Sequence, residues 1–196
     1  MKKEIAILGS TGSIRLRTIN IIKKKRDNFR IKLLSANNNY QSICKQIITY
    51  KPEYFLINND KVYLKVKKKF RKLKVKILNQ LDNLKNNNKF DICVAAIPGL
   101  DGLKPTLQMI KLSKKVLIAN KESIISGWDL IDKISKKNNT KIIPVDSEHF
   151  SILEIIKNHK INEIKKVFIT ASGGPFLNYT LKKLKKVKPK HALNHP

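Results

Sequence analysis

Apolar residues fall into short runs rich in Val and Ile that alternate with longer segments of helical periodicity. This alternation is typical of βαβ units in a parallel sheet. We predict strands at residues 4–8, 30–35, 54–57, 74–78, 91–97, 116–119 and 141–145. We predict helices at residues 12–26, 40–51, 60–72, 100–113 and 122–138. The pattern therefore predicts an α/β fold with a Rossmann-like, doubly wound and mainly parallel sheet.

The alternation changes near residue 146. A helix-like stretch at residues 151–158 precedes a predicted strand at residues 165–171. The sequence Ser172-Gly173-Gly174-Pro175 then predicts a turn. We therefore predict a first domain at residues 1–145 and the beginning of a second, α+β domain at residues 146–196.

The formal net charge of +28 is carried by 37 Lys and only 5 Arg, in a chain that also contains 28 Ile and 19 Asn. Codons for Lys, Ile and Asn are rich in A and T, so a biased genome explains this composition. The alternative is a nucleic-acid-binding surface, but such surfaces favour Arg and interleaved aromatic residues. The Lys residues are also spread over the whole chain, which favours the first interpretation.

The two cysteines and the lengths of the apolar runs indicate the cellular compartment of the protein. Cys44 and Cys93 are isolated and lack the spacing of metal ligands, so we expect buried thiols in a reducing environment. No apolar run approaches the ~20 residues of a membrane span, and the amino terminus resembles no targeting peptide. The sequence therefore predicts a cytoplasmic protein.

The segment Gly9-Ser10-Thr11-Gly12-Ser13-Ile14 follows the first predicted strand and opens the first helix. Glycines at this point permit a tight turn, and the helix amino terminus offers free N–H groups to a phosphate. The segment favours dinucleotide binding, although a purely structural turn is the alternative. Arg15 stands at the third glycine position of the usual pattern.

Three asparagines, Asn37, Asn38 and Asn39, follow the second predicted strand. An NAD site usually has an acidic residue there for the ribose 2′-hydroxyl. Because no carboxylate would repel a 2′-phosphate, the segment favours NADP. An ordinary Asn-rich loop is the alternative.

Two polar clusters follow the last two strands of the predicted sheet, Asn120-Lys121-Glu122-Ser123 and Val145-Asp146-Ser147-Glu148-His149. Ligands of open α/β sheets bind beyond the carboxyl ends of the strands. Asp146 and Glu148 are oxygen ligands suited to magnesium or manganese. The alternative is that Asp146 or Ser147 caps the following helix without any metal.

Six segments together resemble one family, the 1-deoxy-D-xylulose 5-phosphate reductoisomerases. They are GSTGSI at 9–14, AAIPGLDGLKPTL at 95–107, ANKES at 119–123, PVDSEH at 144–149, SGGPF at 172–176 and ALNHP at 192–196. The resemblance implies an enzyme dependent on NADPH and a divalent metal (Mg²⁺ or Mn²⁺). It converts 1-deoxy-D-xylulose 5-phosphate to 2-C-methyl-D-erythritol 4-phosphate in non-mevalonate isoprenoid biosynthesis. Residues 1–145 would be the NADPH-binding domain, and residues 146–196 the incomplete start of the catalytic domain.

The resemblance also implies roles for individual residues. Catalytic roles fall on Lys121, Glu148 and His195, and metal binding on Asp146 and Glu148. Substrate contacts fall on Lys121, Ser147, Glu148, Ser172 and His195. Cofactor contacts fall on Thr11, Gly12, Ser13, Ile14, Asn37, Asn38, Asn39, Asn120 and Glu122. The asparagines replace a Gly-Lys-Asn type segment of the family, so the Lys that would pair with the 2′-phosphate is lost.

The resemblance covers only the amino-terminal portion of the family. The family continues with an N-K-G-L-E segment, which supplies the third metal carboxylate, and with a helical carboxyl-terminal domain. We therefore expect this chain to be a fragment with little activity alone. The full-length family implies a homodimer that acts on a phosphorylated sugar, without membrane or nucleic-acid partners. The alternative is a non-catalytic remnant that acts as a nucleotide- or nucleic-acid-binding module.

Overall fold

The computed structural model describes residues 1–10, 13–84, 90–169 and 174–193, and for residues 13–16 only the backbone. Seven strands form one sheet in the order β4-β3-β2-β1-β5-β6-β7, and each strand is parallel to its neighbours. The strands are β1 (Lys3–Leu8), β2 (Phe29–Ala36), β3 (Tyr54–Ile57), β4 (Lys76–Leu78), β5 (Phe90–Ala95), β6 (Ser113–Ile118) and β7 (Lys141–Pro144). The predicted α/β class and all seven predicted strands are confirmed.

Five helices connect these strands, and they confirm the predicted ones. They are α1 (Ser13–Lys24), α2 (Tyr40–Tyr50), α3 (Asp60–Lys69), α4 (Leu103–Leu112) and α5 (Lys121–Asn138). Short 3₁₀ turns lie at Leu81–Asn83 and Leu100–Gly102. No helix among the described residues combines the length and apolarity needed to cross a bilayer.

Alternate residues of the central strand β1 enter two separate hydrophobic clusters. Ala6 and Leu8 pack in a cluster with residues of α4 and α5, whereas Ile5 and Ile7 pack with residues of α1, α2 and α3. Successive strand side chains point to opposite faces, so helices on both sides bury all four residues from Ile5 to Leu8. This explains why the sequence from Ile5 to Leu8 is a continuous apolar run.

The two cysteines lie inside this core. Cys93 on β5 is fully buried, and Cys44 on α2 is buried against the other cluster. Both are free thiols. Burial raises the pKa of the Cys93 thiol far above its ordinary value, which keeps it protonated. The prediction of buried thiols is confirmed.

The order in which strands are added to the sheet reverses direction next to β1. The chain runs outward from β1 through β2 and β3 to β4, then returns to add β5 on the other side of β1. The crevice at the carboxyl ends of β1 and β5 is thus the topological switch point, where open α/β sheets bind their ligands.

Contacts between residues divide the chain into two compact units, Met1–Asp146 and Ser147–Pro196. The second unit contains α6 (Ser147–Ile156), α7 (Leu181–Leu184) and α8 (Pro189–Ala192), with 3₁₀ turns at Ile161–Glu163 and Gly174–Phe176. None of its described residues is buried.

One secondary-structure prediction in the second unit is wrong. Residues 165–169 of the predicted strand 165–171 form no strand, and residues 170 and 171 lie outside the described residues. The described part of this unit contains no other strand to pair with. An extended segment without a neighbour cannot satisfy its backbone hydrogen bonds within a sheet.

A charged contact at the amino ends of the strands predicts a pH dependence of stability. Asp91 accepts hydrogen bonds from the Lys114 ammonium group and from the Glu4 backbone N–H, both at 2.8 Å, and these lower the pKa of its carboxyl group. We expect Asp91→Asn to lower the free energy of unfolding by up to about 1 kcal/mol at neutral pH. Because the pKa of Asp91 is lower in the folded state, its ionised carboxylate stabilises the fold fully above the pKa of Asp in the unfolded chain, about 4. This stabilisation is lost as the pH falls through the lower pKa of the folded state.

Urea denaturation of the wild type and Asp91→Asn across the range from neutral to acidic pH measures this effect. The two curves should converge only at acidic pH, below the ordinary range of an Asp carboxyl. A constant difference across the whole range would show that the ionised form of Asp91 does not matter.

Candidate functional site

Four strands of the first unit end at the same level of the sheet. Leu8 of β1 pairs with Ala95 of β5, Ala95 with Ile118 of β6, and Ile118 with Pro144 of β7. The residues that follow these strands therefore share one edge. This edge includes Gly9 and Ser10, which follow β1 and are called the glycine turn below. It also includes the Asn120-Lys121-Glu122 segment and Asp146. β1 and β7 are three strand spacings apart, about 14 Å, so a ligand reaching both ends must be extended.

The glycine turn approaches the backbone beyond β5 too closely for a side chain. Gly9 has a φ of +73°, and a Cβ atom there would lie 2.6 Å from the carbonyl oxygen of Ala96. Both the positive φ and the contact require glycine at this position. The strand ends on the two sides of the switch point are thus in direct contact.

Residues of β2 and α2 hold this turn. The Gly9 N–H donates to the Ser35 hydroxyl at 3.0 Å, and the Ser10 N–H donates to the Ser35 carbonyl at 2.6 Å. The Ser10 hydroxyl donates to the Gln46 side-chain oxygen at 2.6 Å, and all three polar side chains are buried. Among the predicted cofactor residues, Thr11 and Gly12 lie outside the described residues. Ser13 and Ile14 open α1, whose first turn carries no acidic residue that would repel a phosphate.

The three asparagines occupy the carboxyl end of β2, as predicted. Asn37 and Asn38 are exposed. Asn39 is the N-cap of α2, and its side-chain oxygen accepts a hydrogen bond from the Ser42 N–H at 2.9 Å. The segment therefore has one residue with a structural contact and two open to solvent.

Asn120 connects two loops of the candidate site through its side chain. Its amide nitrogen donates to the Ile97 carbonyl at 2.5 Å and to the Gly99 carbonyl at 2.7 Å. Its oxygen accepts a hydrogen bond from the Ser123 N–H at 3.0 Å, which makes it the N-cap of α5. Each polar atom of this buried side chain thus has a partner in the protein, so Asn120 acts on the loop after β5 rather than through a free amide.

Lys121 and Glu122 are exposed in the first turn of α5. An acidic residue there interacts favourably with the positive end of the helix, but a cation does not. Helix stability therefore explains Glu122 and does not explain Lys121.

The Asp-Ser-Glu cluster spans the boundary between the two units. Asp146 is the last residue of the first unit and directly precedes α6. The alternative that Asp146 or Ser147 caps this helix without any metal stays a hypothesis. In the second unit, the Ser147 hydroxyl donates to the Glu148 carboxylate at 2.9 Å. No group of three or more His, Cys, Asp or Glu side chains suited to a metal occurs among the described residues.

The donors nevertheless fit a hard divalent cation in kind. Asp146 and Glu148 supply carboxylate oxygens, and magnesium is commonly held by one or two carboxylates while it keeps several waters. The two residues predicted from the carboxyl-terminal motifs, Ser172 and His195, lie outside the described residues.

Sequence reasoning did not identify two residues that support the site, Ser35 and Gln46, and it included Ser10 only as a member of the glycine-rich segment. Gln46 had a detectable signal, because it interrupts the apolar face formed by Ile43 and Ile47 on α2. A polar residue on a buried helical face requires a partner. The identity of that partner depends on tertiary structure.

Two family models match the chain. The model for 1-deoxy-D-xylulose 5-phosphate reductoisomerase matches residues 5–127, and the model for the C-terminal domain of the same enzyme matches residues 142–196. Among curated relatives, the reductoisomerase of Pelagibacter ubique (strain HTCC1062) is 48% identical and is matched over 99% of this chain and 51% of its own length. That of Clostridium novyi (strain NT) is 38% identical over 99% of this chain and 52% of its own length.

Solved structures give the same result. The reductoisomerase from Zymomonas mobilis in complex with NADPH matches all of this chain and 52% of its own, with a TM-score of 0.86 and 31% identity. A DOX-P reductoisomerase in complex with NADPH, fosmidomycin and magnesium matches 99% of this chain and 51% of its own, with a TM-score of 0.81 and 32% identity. The chain thus spans about half the length of the relatives it matches.

Proposed function

The chain belongs to the 1-deoxy-D-xylulose 5-phosphate reductoisomerase family, and we propose that it forms the cofactor-binding part of such an enzyme and the start of its metal and substrate site. The complete enzyme converts 1-deoxy-D-xylulose 5-phosphate to 2-C-methyl-D-erythritol 4-phosphate. The observation that carries this proposal is the common level of the ends of β1, β5, β6 and β7. It brings the glycine turn, Lys121 and Asp146 to one edge of the sheet.

The cofactor in this proposal is NADPH, which supplies the hydride. The free N–H groups at the amino terminus of α1, close in sequence to Gly9 and Ser10, would hold its pyrophosphate. Asn37, Asn38 and Asn39 would hold the adenosine end, since none of them is a carboxylate that would repel a 2′-phosphate. Asn120 holds the loop after β5 against the same crevice, and Glu122 follows it on the exposed first turn of α5.

Asp146 and Glu148 would hold a divalent cation, magnesium or manganese, which when bound would supply Lewis-acid polarisation of the substrate's oxygens. Ser147 donates its hydroxyl hydrogen to Glu148 and so orients that carboxylate. The ammonium group of Lys121 donates to a developing oxyanion on the substrate. Ser172 and His195 complete the contacts to the phosphorylated sugar.

Assembly and location follow from the same family membership. We infer a homodimer for the full-length protein and a cytoplasmic location. Free, buried cysteines are compatible with a reducing compartment.

NADPH titration of the purified chain, followed by fluorescence, tests the proposal. We expect micromolar binding of NADPH, weaker binding of NADH, and little dependence on salt.

Titration with an oligonucleotide under the same conditions is the control, because the net charge of +28 could attract any polyanion non-specifically. Equal, weak and strongly salt-dependent binding of NADPH, NADH and the oligonucleotide would contradict the proposal. That result would favour a nucleic-acid-binding module instead.

A further inference from the structure

Gln46 is a buried amide on the core-facing side of α2, only 4% exposed. Ile43 and Ile47, its neighbours on the same helix, are fully or almost fully buried in the apolar core. An apolar residue would fill this position without any need for a hydrogen-bonding partner. The presence of an amide therefore points to the contacts that it makes.

The side chain of Gln46 binds Ser10 twice. Its oxygen accepts from the Ser10 hydroxyl at 2.6 Å, and its nitrogen donates to the Ser10 carbonyl at 3.1 Å. Ser10 is fully buried and directly follows Gly9. Two bonds from one rigid amide group set both the position and the orientation of Ser10 in the glycine turn.

The second hydrogen of the same amide extends the connection along α2. The Gln46 nitrogen donates to the Ser42 hydroxyl at 3.1 Å, and the Ser42 N–H donates to the Asn39 side-chain oxygen at 2.9 Å. An amide has one acceptor atom and two donor hydrogens, and all are used here. Hydrogen bonds to the side chain and to the backbone of Ser42 therefore connect Gln46, and with it Ser10, to Asn39.

We propose that Gln46 is a positioning residue for the dinucleotide, which sets the glycine turn relative to the Asn37–Asn39 segment. This inference rests on the proposed function, which places the pyrophosphate of NADPH at the first of these segments and its adenosine end at the second. Gln46 is buried, bonds Ser10 directly and reaches Asn39 through Ser42, so it would act without contact to the cofactor. It acts by holding the two segments at the separation that a single extended ligand requires.

Gln46→Met tests the inference, because methionine has a similar length and none of the three hydrogen bonds. We expect the dissociation constant for NADPH to rise about tenfold, the equivalent of about 1.4 kcal/mol. We also expect the preference for NADPH over NADH to shrink severalfold, because the segment that distinguishes them is no longer held in place. Fluorescence titration with both cofactors, well below the melting temperature of each variant, measures the two effects.

Thr140→Val is the matched control. Thr140 is buried, and its hydroxyl donates to the carbonyls of Ile110 and Ser113 at 2.6 and 3.0 Å, away from the glycine turn. This variant also loses buried hydrogen bonds, so it should melt at a lower temperature and keep the wild-type affinity and cofactor preference.

Ser42→Ala is a milder variant for the case in which Gln46→Met fails to fold. It removes only the hydroxyl that links Gln46 to the start of α2. Because about one hydrogen bond is lost, we expect a two- to threefold loss of NADPH affinity, measured by the same titration. Unchanged affinity in both folded variants, or an equal change in Thr140→Val, would overturn the inference. Absence of NADPH binding by the wild type would instead overturn the proposed function.

Discussion

Asn120→Asp is expected to lower the free energy of unfolding by about 4 kcal/mol. A carboxylate retains the oxygen that caps α5, but it cannot donate to the carbonyls of Ile97 and Gly99. The substitution also leaves a buried negative charge facing these two oxygens, which now repel it. Urea denaturation followed by circular dichroism at neutral pH measures the loss.

Asn59→Asp is the matched control for this result. Asn59 is also an N-cap, and its oxygen accepts from the Val62 N–H at 3.0 Å at the start of α3. Asp is as good an N-cap as Asn, so we expect a change of less than about 0.5 kcal/mol. If the two variants lose the same stability, the amide donors of Asn120 do not hold the loop after β5.

Gly9→Ala is expected to destabilise the protein by about 2 kcal/mol more than Gly99→Ala. Both glycines have a positive φ, +73° and +70°, so alanine strains the backbone at both positions. A Cβ atom at Gly9 would also collide with the Ala96 backbone, whereas one at Gly99 would meet nothing within 4 Å. The difference between the two variants therefore measures the close approach at the switch point.

Urea denaturation of both variants provides that comparison, and NADPH titration shows its functional consequence. Gly9→Ala must displace either the glycine turn or the loop after β5, so we expect the larger loss of affinity for this variant. Equal destabilisation would show that the two strand ends separate easily and that the contact does not shape the crevice.

Local sequence signals predicted most of the first unit. Each of the seven strands contains short stretches of apolar residues, and the helices between them have periodic apolar positions. Alternation of these elements leaves few arrangements other than a parallel, doubly wound sheet. The same alternation placed the glycine turn, the Asn-rich segment and Asp146 directly after strands, which is where the structure has them.

Asn120 and residues 165–169 show that local sequence signals do not predict contacts between residues distant in the chain. The sequence indicated Asn120 as a polar residue after a strand, but only the fold reveals that its amide holds Ile97 and Gly99, more than 20 positions earlier. Residues 165–169 have the composition of a strand, and they form none because a strand requires a partner.

The sequence by itself thus determined the elements, their order and the residues that follow each strand, because these depend on neighbours along the chain. Only the tertiary structure decided which strands end at a common level, why Gly9 must lack a side chain, and what Gln46 holds. Those properties depend on contacts between residues distant in sequence, such as Gly9 with Ala96 and Ser10 with Gln46.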